Sequence, residues 1–296
     1  MDIKRKKLDS TLKQISKTIK VSLCLVLTLL LSQSSFAKSS KSRSGYNGLY
    51  MGHSFFWPSA NELGKIAPKT SLTKHKQYLV KGGGKKGSAQ QLWEIDELRE
   101  QGQKYLDTKK IDLLVMAYRN PENSTVAQFS RWFDYALSKN RDTTFMIALS
   151  WATHLHNKDR KTLEKNKKGA DWIHKSLIQK LRKKYPKNTI LFCPHSYGTY
   201  ELIERFQKGK LPGVKHILNM DTKTRPQSRK NGDQLLNDPL GHPGELVSKI
   251  GALLWLKTLY DFDLSKADPI RARNLPDINL NEIAETLSKE IEAFNP

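Results

Sequence analysis

Five short runs of apolar residues, "GLYMG", "QYLV", "IDLLVMAY", "TTFMIALSW" and "TILFC", recur along the chain between polar or glycine-rich segments. Each has the length of a β-strand. Between them, apolar residues return at spacings of three and four, which predicts helices over 58–67, 90–106, 126–139, 170–184 and 200–208. The strand runs are nearly continuously apolar, so both faces of the sheet are expected to be covered. Strands that alternate with helices and hide both faces belong to a parallel sheet between helical layers, a three-layer α/β/α sandwich. After the fifth run the period is helical only. "GHPGELVSKIGALLWLKTLY" aims Leu246, Ile250, Leu253, Leu254 and Leu256 at a core, and "DINLNEIAETLSKEIEAF" predicts a terminal helix.

Residues 1–37 stand apart from this pattern. "KRKK" and further lysines precede the apolar run "VSLCLVLTLLL", which is followed by the small-residue tail "SQSSFA". That order predicts a secretory signal cleaved after Ala37. The run from Val21 to Leu31 has 11 residues, short of the ~20 that cross a bilayer. Residues 38–44, "KSSKSRS", are expected to form a flexible lead-in. No proline- or serine-rich linker divides the rest, so a single domain is expected from 45 to 296.

Removal of the leader takes away seven basic and two acidic residues, lowering the formal charge from +22 to +17. Cys193 becomes the sole cysteine, so the exported chain has no intrachain disulfide and must be held by its core. A strongly basic surface favours anionic partners. Its lysines are spread along the whole chain, with runs in "KHKQYLVKGGGKK", "NKDRKTLEKNKK" and "KLRKKYPK", and match no recognised nucleic-acid module. A solvated basic surface is the plain expectation, and an acidic glycan is the partner that would make use of it.

Candidate chemistry gathers at strand ends, because an open parallel sheet collects ligands at the carboxyl edge of its strands. Gly52-His53-Ser54 follows the first strand there. A serine hydroxyl needs a base and an acid that orients the base. "NDPLGHPGEL" supplies His242 and Asp238 close together just before the last core helix. A second serine competes: "NTILFCPHSYGTYELIERF" reads strand, His195-Ser196-Tyr197-Gly198, helix, like the nucleophile elbow of α/β-hydrolases. Pro194 occupies the position where that pattern has glycine, and proline fixes φ and takes up space. His154 and His156 have a spacing suited to two metal ligands, but no third ligand completes a site, and no metal or organic cofactor is expected. "GGGKKG" lacks the Ser or Thr that follows the lysine of a phosphate loop. Trp57 and Trp151, each just after a strand, are candidates to line a pocket.

"LYMGHSFFWPSANEL" resembles the first block of the SGNH, or GDSL-like, hydrolases. "KGGGKKGSAQQLW", "IDLLVMAYRNPENS" and "DPLGHPG" fall in order at the places of that family's later blocks. The resemblance spans nearly the whole chain after the leader. It implies an esterase in which Ser54 is the nucleophile, His242 the general base and Asp238 the acid that orients it. It also implies an oxyanion hole formed by the Ser54 amide, Gly83 or Gly84, and Asn120 or its rival Asn123, each donor contributing ~3 to 4 kcal/mol at the transition state. This chain departs from the family pattern at three points. His53 replaces the usual aspartate, the asparagine block lacks its glycine and aspartate, and Asp238 precedes His242 by four residues where three is usual. The expected substrate is an acylated small molecule or polysaccharide, with carbohydrate deacetylation foremost. A noncatalytic binder of acidic glycans on the same fold is the alternative from another class.

Overall fold

The five apolar runs are five parallel strands in the computed structural model, which describes residues 44–273 and 275–295, with the backbone alone at 230 and 231. The leader expected at 1–37 and most of the lead-in lie outside the described residues. From β1 (Asn47–Gly52) the chain enters α1 (Trp57–Ile66), with Pro58 in its first turn, and returns as β2 (Lys76–Lys81). Two helices follow, α2 (Ala89–Glu94) and α3 (Asp96–Thr108), where the sequence predicts one. Ile95 is extended between them. Ser88 caps α2 by accepting from the Gln91 N–H, the Arg99 guanidinium reaches back 3.0 Å to the Trp93 carbonyl, and Asp96 and Glu97 open α3 with the acidic turn its dipole favours.

The alternation continues through β3 (Leu113–Tyr118), α4 (Val126–Lys139), β4 (Thr144–Leu149), α5 (Arg160–Ile173), α6 (Gln179–Lys184) and β5 (Ile190–Cys193). Thr125 and Gln128 form a reciprocal capping box at the start of α4. Asp159 caps α5, so the basic run "NKDRKTLEKNKK" begins a helix earlier than its sparse apolar residues predict, and a π turn at His174–Ile178 joins α5 to α6. After β5 come α7 (Ser196–Gln207), the short α8 (Arg225–Asn231), α9 (Glu245–Tyr260) and α10 (Leu280–Glu292).

The strand order is β2-β1-β3-β4-β5. Parallel crossovers are right-handed, so reversing the direction of strand addition after β2 moves the following helices to the other face. Accordingly α1, α7, α9 and α10 pack together on one side, and α2, α3 and α4 on the other. Trp132, Phe129, Phe133 and Phe145 fill one side of the sheet, and Trp255 lies on the other, against Tyr50 and Phe56. The helix α9 is buried on nearly every side, beyond the single stripe its spacing predicts, because α1, α7 and α10 all lean on it. Among the described residues no helix is long and apolar enough to cross a membrane.

The switch in strand order lies between β1 and β3. In such a sheet a crevice opens at the carboxyl ends of these two strands, where their connections leave in opposite directions. The residues that follow β1 and β3 are His53-Ser54 and Arg119-Asn120.

Candidate active site

Gly52 ends β1 because nothing larger fits. A Cβ there would come within 2.6 Å of the Phe56 ring and 2.8 Å of the Ala117 methyl. The chain then turns tightly, with the His53 carbonyl accepting from the N–H groups of Phe56 at 2.9 Å and Trp57 at 3.2 Å. Ser54 is left half-buried at the carboxyl edge of the sheet, just ahead of α1.

Across this turn lies the loop before α9. The Ser54 Oγ is 2.8 Å from His242 Nε2, and His242 Nδ1 is 2.6 Å from Asp238 Oδ2. The other carboxylate oxygen of Asp238 accepts from the backbone N–H groups of Gly241, at 3.0 Å, and His242, at 3.2 Å. Burial pushes the Asp238 carboxyl up, but the hydrogen bonds from the His242 ring and from these amides outweigh it and hold the group below its ordinary value. An ionised Asp238 accepts the Nδ1–H of His242, which leaves Nε2 as the acceptor for the serine proton. Between the acid and the histidine the loop turns at Gly241, whose φ of +103° is open to glycine.

Other contacts fix this loop relative to the turn. The Trp151 indole N–H donates to the Gly241 carbonyl at 2.9 Å, and its ring stacks on Phe55 with centroids 5.2 Å apart. The Phe55 ring meets the His242 imidazole edge-on at 5.1 Å. Trp151 is buried, so it acts as a pin beneath the loop and offers no exposed face for stacking a sugar. The Asn237 N–H donates to the His242 carbonyl at 2.8 Å, while Arg225 of α8 donates to the Asn237 carbonyl at 2.9 Å.

His53 bonds locally within the turn. Its Nδ1 accepts from the Phe55 N–H at 3.3 Å, so its Nε2 carries the hydrogen and faces the Tyr118 carbonyl at 3.4 Å. The ring therefore bridges the ends of β1 and β3. Burial, aided by the charges of Arg119 and His242, lowers its pKa to about 4 and keeps it neutral. Beneath the turn, His195 Nε2 lies 3.4 Å from both the Phe55 carbonyl and the Ser150 hydroxyl, and burial lowers its pKa to about 3.

The glycine loop after β2 is tied to the same turn. The Gly82 N–H donates to the Gly52 carbonyl at 3.0 Å, and Gly87 packs so closely that a Cβ would lie 2.5 Å from the His53 nitrogen. Gly83 and Gly84, the donors expected from the sequence, stand at the exposed tip with open space where a Cβ would project. Gly82 and Gly87 are thus the glycines that make the close approach. Their signal was the spacing of four glycines in "KGGGKKG", which does not say which of them touches a neighbour. After β3, Asn120 Oδ1 accepts from both the backbone and the side-chain N–H of Asn123, at 3.2 and 3.0 Å. That spends an Asn123 amide hydrogen, while among the described residues no acceptor meets Asn120 Nδ2. Asn123 keeps its second amide hydrogen and Asn120 keeps both.

Ser196 is placed differently from Ser54. It is the first residue of α7, only 1% exposed, and among the described residues no imidazole meets its hydroxyl. The elbow alternative therefore lacks both a base and access. His154 adopts a left-handed conformation and its N–H holds the Leu240 carbonyl at 3.1 Å, which makes it part of the support of the His242 loop. Among the described residues no group of three His, Cys, Asp or Glu is arranged to hold a metal ion. Cys193 is buried and its thiol is pushed up to about 12, which leaves it unreactive.

No family model and no curated protein matches the chain. Among solved structures it is similar to a DUF4886 family protein from Bacteroides uniformis ATCC 8492, at 12% identity and a TM-score of 0.51, over 83% of this chain and 95% of that one. At that identity the likeness speaks to the fold: the three-layer arrangement around a parallel sheet is shared across almost the whole length of the neighbour.

Proposed function

We propose that this protein is an exported serine ester hydrolase of the SGNH type that deacylates a carbohydrate and needs no metal or organic cofactor. The observation that carries the reading is the continuous hydrogen-bonded chain from Ser54 through His242 to Asp238, joining residues 188 positions apart. Neutral His242 takes the Ser54 proton as the hydroxyl oxygen attacks an acyl carbonyl. Asp238 holds the imidazole in the tautomer that can accept this proton and stabilises the imidazolium that forms. The oxyanion is met by the backbone N–H at Ser54, by amides of the Gly82–Gly87 loop and by Asn120 Nδ2. Collapse returns the proton through His242 to the departing alcohol, and water repeats the sequence to free the acid.

The test is hydrolysis of p-nitrophenyl acetate by the mature protein. Ser54→Ala should abolish turnover, and Ser196→Ala should leave it in place. Equal loss from both variants would move the nucleophile. Absence of turnover on any ester, together with retention on an acidic glycan, would replace the enzyme by a binding protein.

A further inference from the structure

The edge of the sheet around Ser54 is electrically one-sided. Lys81 ends β2 as the register partner of Gly52, two residues from the serine. Lys85 and Lys86 ride on the turn at Gly84–Gly87, which Gly87 presses against His53. Arg119 follows β3, and its charge is felt at the buried His53 ring. All four side chains are exposed, and among the described residues none of them is in an ion pair. Lys81 lies over the Trp57 ring, 4.9 Å from its centroid, which keeps the ammonium near the start of α1. Glu122, whose charge acts on Tyr118, is a carboxylate on this side and engages none of the four. On the opposite side of Ser54, Asp238 is committed to His242 and to two amides.

We infer that Lys81, Lys85, Lys86 and Arg119 form a cationic subsite that selects acyl esters carried on a carboxylate-bearing polysaccharide. This rests on the esterase reading of Ser54. The cations sit on separate exposed segments, Lys81 at the end of β2, Lys85 and Lys86 on the turn after it, and Arg119 after β3. A compact anion such as a single phosphate is held by converging donors, whereas a repeating anion can meet spaced point charges in turn. A polysaccharide crossing Ser54 brings the carboxylates of neighbouring sugars over these residues while one acyl group enters the site. Cations that flank a cleft also raise the rate at which an anionic substrate arrives.

Acetate release from acetylated polygalacturonate and from neutral acetylated xylan, at equal ester concentration and low salt, tests this. The intact protein should favour the acidic polymer by about tenfold in kcat/KM, within the range of electrostatic steering. The combined Lys81→Gln, Lys85→Gln, Lys86→Gln variant should lose that preference. A control that removes the exposed Lys175, Lys180 and Lys183 around α6 lowers the net charge equally and should retain it. Equal rates on the two polymers, or an equal loss in the control, would overturn the subsite. Calorimetric binding of oligogalacturonate to Ser54→Ala protein separates the two readings. Binding that depends on Lys81, Lys85 and Lys86 without ester turnover in the unmodified protein keeps the subsite and removes the esterase. Turnover without a charge-dependent preference does the reverse. Displacement of the oligosaccharide by vesicles of anionic phospholipid at lower anion concentration would also refute the assignment to a polysaccharide.

Discussion

Replacing Asp238 by Asn tests the proton relay with little change in shape. One carboxylate oxygen accepts two backbone N–H groups of the loop, and the amide oxygen of asparagine can keep both. The other faces His242 Nδ1 at 2.6 Å, where asparagine presents an NH₂ group. Two donors cannot share that contact, so the imidazole must shift its hydrogen to Nε2, the atom 2.8 Å from the Ser54 oxygen. An Nε2 that already carries hydrogen cannot accept the serine proton. In a triad of this kind the wrong tautomer costs about 10⁴-fold in kcat, with little change in ground-state binding. Steady-state hydrolysis of p-nitrophenyl acetate would show this as a fall in kcat at nearly constant KM. Circular dichroism and thermal melting should show an intact fold, because the loop remains pinned by Trp151 and Asn237. A variant that keeps a third or more of the parent kcat would refute the role of Asp238 and, with it, the relay.

Further outcomes follow from neighbouring contacts. Trp151→Phe keeps the stack on Phe55 but leaves the Gly241 carbonyl without its donor, so denaturant titration should show a loss of about 1–3 kcal/mol; the rate should fall with it, and an unchanged rate would mean that the pin does not position His242. Gly87→Ala drives a Cβ to within 2.6 Å of backbone atoms of Gly52 and His53 and should cost about 1–3 kcal/mol along with most of the activity. Gly169→Ala, inside α5 with open space beside it, should instead raise stability by about 0.5–1 kcal/mol. Burial lowers His53 and His75 from 6.5 to about 4 and His195 to about 3. Below pH 6.5 the unfolded chain therefore binds protons that the folded chain refuses. Stability should be fully present above that pH and fall as pH drops toward 4, by up to about 1.4 kcal/mol per pH unit for each histidine. Urea midpoints at pH 7, 6 and 5 measure this slope, which His75→Gln should reduce; a flat profile would contradict the burial of these rings.

Much of the fold was legible because strands covered on both faces must be apolar throughout. "IDLLVMAY" and "TTFMIALSW" therefore announce both their length and their burial. Helix limits were less visible where polar capping decides them: Asp159 starts α5 among lysines, and Ser88 and Arg99 divide a stretch whose apolar period is unbroken. At the candidate site the sequence supplied the chemical types, a serine after the first strand and an acid with a histidine before the last core helix. It could not supply their meeting. That depends on parallel strands placing their carboxyl ends at one edge, on the switch between β1 and β3 opening a crevice there, and on α9 packing across α1 so that the loop before it reaches Ser54. Nor could it say which glycines of the loop pack against the β1 turn, or how Asn120 and Asn123 bond to each other. Those choices turn on which backbone atom approaches another and which amide hydrogen is already bonded. Local sequence carries periodicity and residue chemistry, whereas proximity between distant residues and the satisfaction of individual donors exist only once the chain has packed.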